Sequence, residues 1–257
     1  MITKYLFFNL FNKKFFFQIV KKIFKRLEPD TSFEAKMWAQ LNTTTSTEAL
    51  CKYIDTNFYD EIKFEINHIK KEIDERFLNL NTFGGAGNYI LLYFLIRKFK
   101  LVNIVETGVA AGWSSLFILR ALKKNGKGYL YSSDFPYFRQ QNPEKNIGLL
   151  AKNESNKDDW FLDIRGDDVA LPKIVQRLKN NTIDLLHYDS DKSYSGRDKA
   201  LKVLNPKINS KTIIIFDDIQ DNLHFKNYIE KNDNKFISIR FNAKFLGIIG
   251  LDQFIKI

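Results

Sequence analysis

The stretch that decides the fold is residues 101–115, which read Leu-Val-Asn-Ile-Val-Glu-Thr-Gly-Val-Ala-Ala-Gly-Trp-Ser-Ser. Its first five residues are mostly apolar and β-branched, a pattern typical of a buried strand. Gly108 and Gly112 follow with only small residues between them, and from Trp113 to Leu122 the apolar spacing becomes helical. A strand, a glycine turn and a helix in this order present main-chain N–H groups and a positive helix end to a ligand.

The spacing of the glycines narrows the choice of ligand. The dinucleotide-binding pattern G-x-G-x-x-G is absent here, and so is the P-loop pattern G-x-x-x-x-G-K-[ST]. The pattern present, E-x-G-x-x-x-G, resembles motif I of the class I S-adenosylmethionine-dependent methyltransferases. That resemblance implies that Glu106, Gly108, Gly112 and Ser114 line the cofactor site. The alternative is an ordinary strand–turn–helix unit whose glycines are placed for packing.

Composition bounds the class of protein. The chain has 257 residues, 44% of them hydrophobic, which can fill a sizeable core. Its single cysteine, Cys51, excludes an internal disulfide and favours a reducing compartment, so we expect a cytoplasmic protein. The formal net charge is +10, but the lysines are scattered along the whole chain and no nucleic-acid motif is present. We therefore predict no nucleic-acid partner.

The N-terminal segment, residues 1–30, alternates phenylalanine and aliphatic residues with lysine and arginine. A basic amphipathic helix of this kind predicts contact with a membrane surface or a partner. Packing on its own domain or on a second subunit is the alternative. Lysines interrupt every apolar run well short of the ~20 residues that a transmembrane helix needs, and the long apolar core of a secretory signal is missing. We expect an N-terminal helical extension over residues 1–80 and an S-adenosylmethionine-binding domain over residues 81–257.

Helical patterns fill most of the chain before the central strand. Residues 42–47 predict a polar linker, with Thr47 as the cap of a helix that starts at Glu48. Residues 59–78 have apolar positions at helical spacing. A glycine-rich turn at residues 82–87 and a helix at residues 88–98 then lead to the central strand.

Two acidic positions after the glycine turn have the chemistry to hold a nucleoside. Residues 128–134 predict a second strand that ends at Asp134, whose carboxylate can accept hydrogen bonds from both ribose hydroxyls. Residues 160–168 predict a third strand and its loop, in which Asp167 is a candidate to bind the exocyclic amine of an adenine. The alternative for Asp134 is a turn cap. The polar segment 135–158 between them is expected at the surface.

Three more acids follow the next two predicted strands. Residues 183–189 predict a strand that ends at Asp189, and residues 211–218 a strand that ends at Asp217 and Asp218. Carboxylates at the carboxyl ends of neighbouring strands converge beside the ligand crevice and repel one another unless they are neutralised. Mg²⁺ or a similar divalent cation neutralises them with oxygen ligands. Turn caps and surface charges are the alternative.

These acids resemble those of the metal-dependent O-methyltransferases, both the catechol group and the macrolide-sugar group, over roughly residues 85–250. In those families an acid ends strand four, and an acid pair or an acid and an amide end strand five. The resemblance implies that Asp189, Asp217 and Asp218 bind the metal and that Lys192 is the general base. The family base is lysine in the catechol group and usually histidine in the sugar group, which leaves the substrate group open. A solvated lysine at a helix start is the alternative for Lys192.

The C-terminal pattern distinguishes two classes of enzyme. Residues 235–241 and 244–251 predict two strands joined at Asn242-Ala243, a closing hairpin of the kind that ends a methyltransferase sheet. A nicotinamide dehydrogenase would more often continue with further βα units. We therefore predict a Rossmann-like α/β class I methyltransferase fold, with seven mostly parallel strands, one antiparallel strand in the C-terminal hairpin, and helices on both faces.

The function predicted from the sequence is methyl transfer from S-adenosylmethionine to a hydroxyl of a small molecule or sugar, assisted by Mg²⁺ or a similar divalent cation. The alternatives are a nicotinamide-dependent oxidoreductase and a non-catalytic membrane-surface protein that uses residues 1–30. A homo-oligomer is left open. His187 is expected to be a core histidine with a local partner, and His68 and His224 are expected at the surface.

Overall fold

The computed structural model describes Phe16, Val20 and residues 28–76, 87–137, 144–154 and 158–256. Most of the predicted basic segment 1–30 and of the predicted turn 82–87 lies outside these residues. Their predicted roles stay predictions.

One mixed sheet forms the centre of the described chain. It has eight strands in the order β1-β7-β8-β6-β5-β2-β3-β4. All neighbouring strands are parallel except β8, which runs antiparallel to both β6 and β7. The strands are β1 (Thr43–Ser46), β2 (Asn103–Thr107), β3 (Tyr129–Ser133), β4 (Trp160–Asp163), β5 (Leu185–Tyr188), β6 (Ile213–Phe216), β7 (Phe236–Phe241) and β8 (Lys244–Ile249). The predicted Rossmann-like fold and its antiparallel closing hairpin are confirmed.

Helices cover both faces of this sheet. Within the described residues they are α1 (Ser32–Asn42), α2 (Thr47–Arg76), α3 (Tyr89–Phe99), α4 (Trp113–Asn125), α5 (Asp167–Arg177), α6 (Tyr194–Leu204) and α7 (His224–Asn232). Helices α2, α3 and α4 pack on one face, and α1, α5, α6 and α7 pack on the other. The central strands β5 and β6 are therefore buried on both faces, which explains why they are largely apolar.

The sheet has eight strands rather than the predicted seven, and the additional strand replaces the polar linker predicted at residues 42–47. Thr43–Ser46 forms β1 and adds in parallel to β7, and the Thr43 and Ser238 hydroxyls are 2.6 Å apart. A run of threonines has high β propensity but no apolar alternation, so hydrophobic periodicity does not detect it. The cap of α2 also differs: Ser46, rather than Thr47, accepts the Ala49 N–H at 3.2 Å.

Helix α2 is interrupted by a kink. Its two helical segments meet at Asp55, whose φ of −166° and ψ of 104° are not helical. The Asp55 carboxylate accepts the Phe58 N–H at 3.0 Å and caps the second segment. Lys98 of α3 donates to the other oxygen of that carboxylate at 2.5 Å. The predicted boundary between residues 80 and 81 lies outside the described residues.

No helix in the described part of the chain combines the length and the apolar character needed to cross a bilayer.

Candidate active site at the carboxyl ends of the parallel strands

The candidate site is built on one edge of the sheet, where the parallel strands end together. Main-chain hydrogen bonds continue one residue past the strands. The Asp189 N–H donates to the Thr107 carbonyl, and the Asp217 N–H donates to the Tyr188 carbonyl, each at 3.0 Å. The predicted convergence of acids from different strands therefore follows from the sheet itself. In doubly wound sheets this edge is where ligands bind.

The glycine turn between β2 and α4 lies against this edge. Gly108 has a φ of +82° and its Cα faces the Asp189 carbonyl so closely that a Cβ would overlap it. Gly112 has a φ of +95°, and a Cβ there would come within 2.9 Å of Gly148. Both positions therefore require glycine for conformation and for space. The turn is held by residues 144–154, whose Gly148 N–H donates to Ala110 at 2.9 Å.

Glu106 lies beneath the turn and is fully buried. Hydroxyls donate to its two carboxylate oxygens from Ser114 at 2.5 Å, Ser115 at 2.6 Å and Ser132 at 2.9 Å. Burial raises the pKa of Glu106 to about 7, against the opposing effect of these hydrogen bonds. Glu106 thus ties the start of α4 to β2 and β3, and its predicted contact with a cofactor stays a prediction.

Asp134 stands beside the turn at the end of β3. One carboxylate oxygen accepts the main-chain N–H groups of Val109 at 3.2 Å and Ala110 at 2.7 Å, and the other accepts that of Phe135 at 2.6 Å. Burial raises the pKa of Asp134 to about 6, although these N–H groups favour the charged form. A carboxylate has about four acceptor positions. Two ribose hydroxyls would therefore have to replace at least one of these N–H bonds.

Asp167, at the start of α5, connects two strand ends. Its carboxylate accepts the hydroxyls of Ser133 and Ser190, each at 2.6 Å. It is thus held between the end of β3 and the loop after β5. Its predicted contact with an adenine amine stays a prediction.

The three predicted metal ligands lie together. Asp189, Asp217 and Asp218 each place one carboxylate oxygen within 4.8 Å of the other two. Asp217 is almost fully buried, and Asp218 has a left-handed φ of +53°. Three carboxylate oxygens at this spacing fit the ligand set of a hard divalent cation, which binds oxygens at about 2.0–2.6 Å.

Two lysines share these carboxylates. The Lys192 ammonium forms an ion pair with Asp189 and lies 3.1 Å from Asp218 Oδ2 and 3.6 Å from Asp217 Oδ2. The Lys244 ammonium, from the first residue of β8, lies 3.1 Å from Asp217 Oδ2 and 3.0 Å from Asp218 Oδ2. The cluster thus contains three acids and two ammonium groups.

The pKa values of the cluster follow from these contacts. Burial lowers the pKa of Lys192, but the three carboxylates outweigh it, so its pKa is raised. For Asp189 burial acts in the other direction and raises the pKa of the carboxyl well above its ordinary value. For Asp217 the charge of Lys192 and a hydrogen bond from Asp189 overcome burial and hold the pKa low. In this arrangement Lys192 is a cation, so a role as base requires another positive charge in the cluster.

Two buried residues hold the main chain of the cluster through hydrogen bonds to its carbonyl groups. Nη2 of Arg197 donates to the main-chain carbonyls of Asp217 at 2.9 Å and Asp218 at 2.7 Å. The Asn222 amide donates to the Lys192 carbonyl at 2.7 Å. The loops that hold the acid pair and the lysine are thereby fixed to α6 and to the turn before α7.

The histidines differ from expectation in two of three cases. His187 is buried as predicted, but neither ring nitrogen has a hydrogen-bond partner among the described residues. Burial lowers its pKa to about 4. His224 is buried rather than exposed, because α7 turns this ring inward against Tyr194 and Tyr228. His68 is exposed as predicted.

Sequence reasoning missed Lys244 and Arg197. Lys244 lies 26 residues from the acid pair along the chain, at the start of a strand where a lysine has no distinctive pattern. Arg197 lies in the first turn of α6, five residues after Lys192 and close to other charged residues. Its full burial could not be deduced from spacing alone.

Comparison with known proteins agrees with this geometry. Residues 105–219, from β2 to the turn after β6, match a family described as a methyltransferase domain. The chain resembles the class I methyltransferases. The resemblance predicted from the glycine turn is thereby confirmed. A comparison with curated proteins finds no significant match.

Solved structures share the class I methyltransferase fold with this chain. The O-methyltransferase TomG from Streptomyces achromogenes, involved in tomaymycin synthesis and solved with S-adenosylmethionine, has a TM-score of 0.54 at 15% identity, over 70% of this chain and 88% of that one. The methyltransferase PaMTH1 from Podospora anserina, solved with S-adenosylhomocysteine, has a TM-score of 0.51 at 14% identity, over 71% and 86%. An O-methyltransferase from Bacillus cereus, also with S-adenosylhomocysteine, has a TM-score of 0.50 at 13% identity, over 82% and 99%.

Proposed function

We propose that the chain is an S-adenosylmethionine-dependent O-methyltransferase that acts, with a divalent cation, on a hydroxyl of a small molecule or sugar. One observation carries the proposal: the glycine turn, the strand-end acid Asp134 and a cluster of three acids with Lys192 share one edge of a sheet with methyltransferase topology. The family match over residues 105–219 and the bound cofactors of TomG and PaMTH1 support it.

The cofactor would lie across the glycine turn. Gly108 and Gly112 allow its methionine part to approach the main chain, and the N-terminus of α4 favours its carboxylate. Asp134 would accept the ribose hydroxyls, and Asp167 the adenine amine. Glu106 would act through Ser114 by holding the start of α4 in place.

The acceptor hydroxyl would lie beside the acid cluster. Asp189, Asp217 and Asp218 would hold a divalent cation, which when bound lowers the pKa of an acceptor hydroxyl. Lys192 Nζ would take the hydroxyl proton, and the oxygen would form a bond to the methyl carbon as the bond from that carbon to sulfur breaks. The products are a methyl ether, S-adenosylhomocysteine and a protonated lysine.

Cofactor binding is the first test of this function. S-Adenosylhomocysteine should raise the melting temperature of the purified chain, and NAD⁺ at the same concentration should not. Addition of MgCl₂ with S-adenosylhomocysteine should raise it further if the acid cluster takes part. A shift with NAD⁺ alone would favour the oxidoreductase instead, and no shift with S-adenosylhomocysteine would contradict the proposal.

We also propose that the basic N-terminal segment brings the enzyme to an anionic membrane surface. The support within the described chain is a stripe on α1, the helix that follows this segment: Phe33, Met37 and Leu41 lie four residues apart and are 74%, 44% and 77% exposed. An apolar stripe exposed beside a basic segment has the composition of segments that bind at the lipid interface.

Sedimentation with vesicles tests the membrane proposal. The full chain should sediment with vesicles that contain phosphatidylserine and much less with pure phosphatidylcholine. A variant with serine at all three stripe positions should bind more weakly, and one that lacks residues 1–27 more weakly still. Equal sedimentation with neutral vesicles, or no sedimentation at all, would contradict the proposal.

A further inference from the structure

We propose that Lys244 is a built-in counter-cation of the acid cluster, and that its ammonium and a divalent cation exclude each other there. The inference rests on the cation site of the proposed function. It goes further by assigning to one residue of β8 the control of how tightly that site binds metal.

The contacts of Lys244 place its charge where the cation would bind. Its Nζ lies 3.1 Å from Asp217 Oδ2 and 3.0 Å from Asp218 Oδ2. Only 2% of the Asp217 side chain is exposed, so few directions of approach to its carboxylate exist. A divalent cation bound to the same two oxygens would lie within a few ångströms of a like charge, at a distance where repulsion is strong in a partly buried site.

The local structure holds the main chain next to Lys244 close to the acid pair. The Gln220 side chain accepts the Phe245 N–H at 2.9 Å and donates to Asp218 Oδ1 at 3.0 Å. It thereby fixes the start of β8 against the acid pair and occupies one oxygen of Asp218. The remaining oxygen, Oδ2, faces both lysines.

Charge balance indicates what happens when a cation enters. The positive charges of Lys192 and Lys244 offset the negative charge that the acids of the cluster carry. A divalent cation added to this arrangement would leave an excess of positive charge, and withdrawal of one ammonium would reduce that excess. Burial of uncompensated charge is costly, so exchange is favoured over addition.

Lys244, rather than Lys192, is the ammonium that can withdraw. The Lys244 side chain is 46% exposed, against 25% for Lys192, and it stands next to the turn Asn242-Ala243 that ends β7. Lys192 instead contacts all three acids and its carbonyl is held by Asn222. A flexible lysine stem can move its head into solvent at little cost.

Manganese binding to the full chain tests the inference without a turnover assay. We would titrate Mn²⁺ into the wild type, Lys244→Met and Lys244→Gln, and measure free Mn²⁺ by electron paramagnetic resonance. Lys235→Met is the matched control, because Lys235 is an exposed lysine just before β7 in the same hairpin. We expect the two Lys244 variants to bind Mn²⁺ roughly tenfold more tightly than the wild type, and the control to be unchanged.

A second variant locates the effect. Asp217→Asn combined with Lys244→Met should lose the gain, because the gain requires the Asp217 carboxylate. Unchanged or weaker Mn²⁺ binding by both Lys244 variants would overturn the inference. Binding of S-adenosylhomocysteine, measured on the same samples by calorimetry, separates the two failures: its absence contradicts the proposed function, while its presence with unchanged Mn²⁺ affinity contradicts only the role of Lys244.

Discussion

Nη2 of Arg197 donates to the main-chain carbonyl of Asp218 at 2.7 Å from a side chain that is fully buried. The same nitrogen reaches the Asp217 carbonyl at 2.9 Å. Burial lowers the pKa of this guanidinium below its ordinary value, yet it stays charged and binds two carbonyl oxygens at once. A helix on one face of the sheet thus fixes the loop whose side chains face the candidate site.

Arg197→Met should lower the free energy of unfolding by about 2–4 kcal/mol, because the two carbonyls lose a charged donor in a buried place. Urea denaturation measures this loss. Lys202→Met is the control on the same helix, since the Lys202 ammonium forms a solvent-exposed ion pair with Asp198 at 2.7 Å. This variant should change the free energy of unfolding by less than about 0.5 kcal/mol. Equal losses in the two variants would contradict the role of Arg197.

Lys192→Met should lower kcat by about 10²–10⁴-fold, the usual contribution of a general base. The Kd for S-adenosylhomocysteine should stay close to that of the wild type, because Lys192 contacts the acid cluster rather than the glycine turn. Turnover assays across pH with calorimetry in parallel measure both quantities. A wild-type rate in this variant would exclude Lys192 as the base.

Asp217→Ala should abolish the stimulation of turnover by Mg²⁺ while S-adenosylhomocysteine still binds. Asp217 is one of the three acids that converge, and its carboxylate pairs with Lys192 and Lys244. The measurement is turnover after treatment with EDTA and again after addition of MgCl₂. Asp198→Ala, on the exposed side of α6, is the control. Full Mg²⁺ stimulation in the Asp217 variant would contradict the predicted metal site.

Glu106→Gln should remove a pH dependence of stability. The folded-state pKa of Glu106 is raised from 4.5 to about 7 by burial. The folded chain therefore binds more protons than the unfolded chain between these pH values, and the wild type loses stability as pH rises through them. That loss is about 2–4 kcal/mol. Urea denaturation at pH 4.5 and 7.5 should show the variant gaining stability relative to the wild type; a constant difference would contradict this prediction.

His224→Phe should remove a loss of stability that occurs as the pH falls, the opposite direction from the loss caused by Glu106. Burial lowers the pKa of His224 from 6.5 to about 4, so the unfolded chain binds the extra proton between these values. The wild type then loses stability as pH falls from 6.5 to 4, by about 2–4 kcal/mol. The phenylalanine ring preserves contact with Tyr194 and Tyr228 but does not titrate. His68→Phe, at an exposed position, should leave the acid dependence unchanged, and so tests whether burial is the cause.

Most of the fold could be predicted because its strands differ from their surroundings. The runs that became β2, β5 and β6 are apolar and lie between turns or polar residues, and the hairpin of β7 and β8 has its turn at Asn242-Ala243. The strand β1 could not be predicted in this way. Its position depends on pairing with β7, which lies almost 200 residues away along the chain.

The acids of the site could also be located from the sequence, since each follows a recognisable strand. The hydrogen bonds and ion pairs around these acids could not be predicted. The side chain of Asp134 turns back to the main chain of the glycine turn, and the pKa of Lys192 is raised because Asp217 and Asp218 reach it from another strand. Such contacts depend on side-chain direction and on distances between elements, which no spacing along the chain records.

The two outermost strands, β1 and β4, have consequences for how copies of this chain can meet. Each is only four residues long, and β1 consists of threonine and serine alone. A second copy that tried to extend the sheet at β1 would find a short polar margin with few free main-chain groups, a feature that discourages fibrous stacking. Growth of the sheet from one copy to the next is therefore disfavoured at this edge.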